Sequence, residues 1–220
     1  MRLTIPPQQT AFFTQNGYIE FEGILENPNF IFESLRKAAA ARLSLSVAKL
    51  AQKSPAELYL AGRDLWRLET TLANLFIRKL APFAFALTAK QSLRLAADQW
   101  IPAHLSKEKA TSLKDLFSIQ GLSLGFLISS GSAGEPARSE LGLLPLPSKP
   151  GSVLFFQPHL LLDWPRLIHL PPIDLYLGAY ALPISVYVQN LKDPSTNFLK
   201  QFNYGFGDVL KNEFHPLIVQ

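Results

Sequence analysis

A chain of 220 residues that is 48% hydrophobic and 17% charged can bury roughly 70% of the surface its unfolded form exposes, which argues against disorder. It has no cysteine, and that excludes disulfide scaffolds, thiolate zinc sites, iron–sulfur clusters and cysteine nucleophiles together. The formal charge of +4 resolves into fifteen Lys/Arg against ten Asp/Glu over residues 1–115 and six against seven over 116–220, a scattered excess that reads as solvated helix faces and makes nucleic acid an unexpected partner.

The opening MRLTIPPQQTAFF sets prolines and glutamines where a signal core would be apolar, and no later apolar stretch approaches the ~18–20 residues of a membrane span. The expected compartment is therefore the cytoplasm. Asn27-Pro28 opens a helix, with a small polar cap before a first-turn proline. A stronger start lies at Ser54-Pro55-Ala56-Glu57, a capping box followed by Leu58, Ala61, Leu65, Leu68, Leu72, Leu75 and Phe76 at helical spacing. That helix is expected to run to about Lys79, where Pro82 stops it. Trp66 lies off the apolar line and reads as a second packing edge, the alternative being a ligand-facing aromatic.

From residue 83 the period changes. FAFALT (83–88), SLRLAA (92–97), GLSLGFLI (121–128), SVLFF (152–156), DLYLGAY (174–180) and PISVYVQ (183–189) are short apolar runs separated by Gly, Pro and Ser, which reads as strands. Eleven of the seventeen prolines follow residue 115. No helical pattern separates the later strands, so an antiparallel sandwich or jelly roll is favoured over βαβ units. The expected organisation is one α+β domain over 1–220, with residues 1–82 mainly helical and 83–220 a β-rich jelly roll. The loop 129–151 is expected to be irregular.

Two segments carry a resemblance. Phe12-Phe13-Thr14-Gln15-Asn16-Gly17-Tyr18-Ile19-Glu20-Phe21-Glu22-Gly23-Ile24-Leu25 resembles the opening of the phytanoyl-CoA dioxygenase family, and Lys149-Pro150-Gly151-Ser152-Val153-Leu154-Phe155-Phe156 is similar to the strand that leads to its distal metal histidine. A further likeness, through the same opening and Arg63-Asp64-Leu65-Trp66, is to a group of chlamydial proteins of unassigned function with a related sheet. The resemblance implies N-terminal helices packed on a double-stranded β-helix, cupin-like, of the iron(II)/2-oxoglutarate oxygenase type.

Iron(II)/2-oxoglutarate chemistry of that kind makes definite demands on side chains. Two histidines and a carboxylate must share the metal, and the first pair comes as His-x-Asp/Glu because residues i and i+2 of a strand point the same way. None of His104, His159, His169 and His215 has Asp or Glu two residues on. About eleven residues after Gly151, where the resemblance implies the distal histidine, stand Leu162-Asp163, and residues 170–190 hold no Arg or Lys for the 2-oxoglutarate carboxylate. His159 and Asp163 are the remaining metal candidates, and about 13 Å would separate them on an extended strand at a ~3.3 Å rise. Phosphate-loop, dinucleotide, nucleophile-elbow and zinc-helix motifs are absent.

The expectation is a scaffold without catalytic residues, without cofactor, that binds a small molecule or a protein partner. The alternative is an oxygenase holding iron(II) and 2-oxoglutarate on non-standard ligands, His159 and Asp163 among them. A third reading places a partner on the basic helices 30–80, through Arg63 and Arg67.

Overall fold

A computed structural model describes residues 3–105, 107–132, 142–167 and 171–220. Helix α1 (Pro7–Asn16) ends at Gly17, whose φ of +79° lets its N–H reach the Phe13 carbonyl, the left-handed close that glycine provides. Strand β1 (Tyr18–Phe21) follows, then α2 (Pro28–Arg42), where the Asn27 side chain accepts from Phe30 N. The capping box at Ser54 and Glu57 forms, but its helix α3 covers only Pro55–Ala61. The long helix expected there is broken by contact with the sheet. A Cβ at Gly62 would lie 2.8 Å from the Trp100 carbonyl oxygen, and Asp64 takes a left-handed φ of +49°.

A second difference is that Pro82 does not end a helix. Helix α4 (Thr70–Asn74) continues through a π turn (Leu75–Leu80) into α5 (Ala81–Thr88). Ala81 N–H donates to the Phe76 carbonyl, five residues back, and Pro82 falls in the first turn of α5, where its missing N–H matters least. FAFALT, expected as a strand, is therefore helical. Its apolar run from Phe83 to Leu87 has no polar alternation to separate the two states.

The sheet is antiparallel with strand order β1-β4-β3-β5-β2-β6, built from β2 (Ser92–Ile101), β3 (Ile119–Ser129), β4 (Val153–Phe156), β5 (Leu175–Tyr187) and β6 (Leu217–Val219). The two segments that carry the family resemblance meet: Tyr18 pairs with Phe156 and Phe21 with Val153. Gly151 stands at φ +85°, and its carbonyl accepts from Leu25 N. Glu20 and Glu22, which alternate outward from β1, accept from Ser148 and Lys149. DLYLGAY and PISVYVQ, expected as two strands, are one. Pro183 is tolerated there opposite register shifts in β3 near Gly121.

Alternation along β5 sends Tyr176 and Tyr180 to the helical face, with Phe76, Phe126 and Leu35, and Leu175, Leu177, Ala179 and Ala181 to the opposite face. Phe76 and Phe126 stand 4.8 Å apart edge to face, over Gly178, where a Cβ would come within 2.3 Å of Phe126. Against the opposite face, two isolated bridges, Thr111–Leu162 and Leu143–Leu161, begin a second layer. Among the described residues no helix is long and apolar enough to cross a membrane.

Candidate functional site

The described histidines, His104, His159 and His215, do not converge. His104 is exposed at a left-handed φ of +63°, His159 is exposed in the turn after β4, and His169 lies outside the described residues. Between His159 and Asp163 the backbone of Leu161 and Leu162 is bridged and extended, not the helical turn that joint ligation would need. Among the described residues no group of three or more His, Asp or Glu could hold a metal ion.

Where the resemblance implies the distal histidine, Leu162 is followed by the half-buried Asp163. Leu162 is 3% exposed, its backbone exchanging hydrogen bonds with Thr111 in both directions. Trp164 Nε1 donates to Thr111 Oγ1 at 2.6 Å, and Trp164 meets Tyr59 edge to face at 6.2 Å. The charged group on these two rings is the Lys107 ammonium, 4.2 Å from the Tyr59 centroid and 4.3 Å from that of Trp164. Burial pushes this lysine down to about 8. Iron(II) is held by imidazole and carboxylate; neither the Lys107 ammonium nor Leu162 is such a ligand, and the one carboxylate of the pair is Asp163.

Charged groups are concentrated instead on the other strand edge, around Arg63-Asp64-Leu65-Trp66. Asp98, on β2, accepts from Leu65 N at 2.7 Å, Trp66 N at 3.1 Å and the Tyr176 hydroxyl, while Asp98 N donates to Asp64 Oδ1. Arg67 Nε donates to the other Asp64 oxygen at 3.3 Å, and its Nη2 lies 2.9 Å from His215 Nε2. A guanidinium can only donate, so Nε2 accepts and the His215 proton sits on Nδ1, aimed at the Tyr204 oxygen 3.0 Å away. On the other side Arg63 binds Asp193 at 2.8 Å and the Leu116 carbonyl at 2.7 Å. Arg42 donates to the carbonyls of Ala61, Arg63 and Asp64.

Three guanidiniums (Arg42, Arg63, Arg67) thus face three carboxylates (Asp64, Asp98, Asp193), with His215 neutral. Burial and then Asp64 push Asp98 up to about 7, and burial and then Arg67 push His215 down to about 3. The hydrogen bonds lock the helical half to β2, β5 and the 193–215 segment, a structural role. The reading of Arg63 and Arg67 as a partner-binding face is corrected: Arg63 is 4% exposed, and both are ion-paired inside. Trp66 is buried, as its packing reading required. Sequence reasoning passed over Asp98, although one acid inside the apolar run LAADQWI signals a partnered buried carboxylate.

No protein-family model matches the sequence, and no curated protein matches it either. Solved structures do. The non-heme alpha ketoglutarate dependent carbocyclase SnoK from nogalamycin biosynthesis superposes with a TM-score of 0.67 over 98% of this chain and 97% of its own, at 12% identity. The chain has an iron(II)/2-oxoglutarate oxygenase-like fold. CytC3 with Fe(II) and alpha-ketoglutarate matches at a TM-score of 0.58 over 96% of this chain and 88% of its own, with 17% identity. CT296 from Chlamydia trachomatis reaches 0.44 over 83% of this chain and 99% of its own, at 15% identity, too distant to carry an argument.

Proposed function

We propose that this chain is a non-catalytic binding or interaction protein of one domain, a jelly-roll scaffold of the phytanoyl-CoA dioxygenase-like and chlamydial type without the iron and cosubstrate ligands. The observation that carries the reading is Leu162, buried and bonded to the Thr111 backbone two residues before Trp164, whose ring carries the Lys107 ammonium, in the pair Leu162-Asp163 where the resemblance implies a histidine and neither residue is one. The arginine nearest in kind to a cosubstrate clamp, Arg94 on β2, is already committed to the carbonyls of Pro183 and His215 and to Asn212.

Isothermal titration of the full chain with iron(II) or manganese(II) and 2-oxoglutarate tests the proposal. The expected result is no saturable heat; stoichiometric micromolar binding that needs both components overturns it and favours an oxygenase on non-standard ligands. In that event His159→Ala should abolish iron-dependent succinate release.

A further inference from the structure

The scattered cations of the first half do not all have partners. Arg36 pairs with Asp174, Lys53 with Glu57, Arg63 with Asp193 and Arg67 with Asp64. Among the described residues, Arg78 and Lys79, adjacent on the π turn, make no ion pair or side-chain hydrogen bond. Both line a groove of about 440 Å³ between the segment Ile24–Asn27, the first turn of α2 and the helix face carrying Thr71, Asn74 and Leu75. Its size falls within the ~300–1,000 Å³ of small-molecule sites.

The groove has two chemistries. Its floor is Ile24, Leu25, Ile31 and Leu75, with Phe30 standing at the side 48% exposed. Its rim carries Arg78 and Lys79 against Glu26, two positive charges against one negative. Thr71, Asn74, Leu75, Arg78 and Lys79 all line the groove, so both cations stand over its apolar floor. The π turn adds an independent observation, since such turns are rare and concentrate at functional sites. An apolar floor under an unpaired guanidinium and ammonium complements a ligand with a hydrocarbon body and an anionic head.

We propose that this groove binds a small aliphatic carboxylate, its chain laid on Ile24, Leu25, Ile31 and Leu75 and its head held by Arg78 and Lys79. The site lies on the helical face, away from the sheet interior. The metal titration and the groove test therefore fail independently of each other.

Decanoate, titrated calorimetrically into the full chain below its micelle concentration, is the probe, with decanol and phosphatidylglycerol vesicles in parallel. One-to-one saturable binding of decanoate is expected, at least about tenfold weaker for decanol and for the Arg78→Ala/Lys79→Ala variant. Asn74→Trp, which fills the groove and keeps both charges, should abolish it. Both variants should keep the parent Tm, and because Arg78 and Lys79 are exposed the charge variant decides the matter should the tryptophan variant misfold. Absence of saturable decanoate binding, equal affinity in the charge variant, or adsorption to vesicles without one-to-one decanoate binding overturns the proposal.

Discussion

The turn at Arg63–Arg67 and the helix face at Thr71–Lys79 are neighbours in sequence and handle positive charge in opposite ways. In the turn every guanidinium is taken out of water and answered by a carboxylate or by carbonyls. Eleven residues on, Arg78 and Lys79 stand exposed and, among the described residues, form no ion pair. Burying an ion costs several kcal/mol even after relaxation, and only good geometry with further hydrogen bonds offsets it. The turn can carry its charges because its own Asp64 pairs with Arg67 and the segment after β5 supplies Asp193 to Arg63. The same formal charge thus specifies assembly in one place and remains available to a ligand in the other.

The comparison breaks most visibly if one partner of a buried pair is removed. Arg63→Ala or Asp193→Ala should each lower unfolding free energy in urea by about 3–5 kcal/mol, because the survivor is left charged and buried; a loss below about 1 kcal/mol would show the pair to be hydrated. The double replacement Arg63→Met/Asp193→Leu should cost far less than the sum of the two alanine changes.

The next effect is in pH. His215 has its folded value depressed to about 3 from the ordinary ~6.5, so its contribution is present above the unfolded value and is lost as pH falls towards 3, by a few kcal/mol. Asp98 is raised to about 7 from ~3.9. Its contribution is therefore full below pH ~4 and is lost as pH rises to 7. Denaturation series should show the acid limb flattened by His215→Gln and the neutral limb flattened by Asp98→Asn, with the two groups opposing each other between pH ~4 and ~6.5; unchanged slopes in both variants would mean neither group titrates across folding. The smallest effect belongs to the open face: Arg78→Glu/Lys79→Glu should alter stability by no more than about 0.5 kcal/mol, measured under the same urea conditions.

Much of the fold was legible. The caps at Asn27 and Ser54, the pairing-competent runs 92–97, 121–128 and 152–156, and the two segments of family resemblance stand where local rules put them, because each depends on neighbours in sequence, whereas 174–180 and 183–189, read as two strands, are joined in one. The failures have a common physical origin in tertiary partners. Gly62 leaves its helix because the backbone of Trp100 is waiting, and FAFALT is helical because the π turn carries the chain past Pro82. Arg63 and Arg67 looked solvated because Asp193, Phe214 and His215 lie well over a hundred residues away. At the candidate site the missing His-x-Asp pair could be read directly, whereas the Lys107 ammonium on Tyr59 and Trp164 joins three remote positions and left no local trace.

That remoteness bears on the order in which the molecule is assembled. Arg63 is joined to Asp193 across 130 residues, and Arg67 to Phe214 and His215 across 147 and 148. During synthesis the Arg63–Arg67 turn emerges long before any of these partners, with its guanidiniums still hydrated. Its burial has to wait for the 193–215 segment, and loop-closure entropy makes such distant pairings slow to form. A nascent chain halted after β4 would present an unfinished helical half with Arg63 still without Asp193.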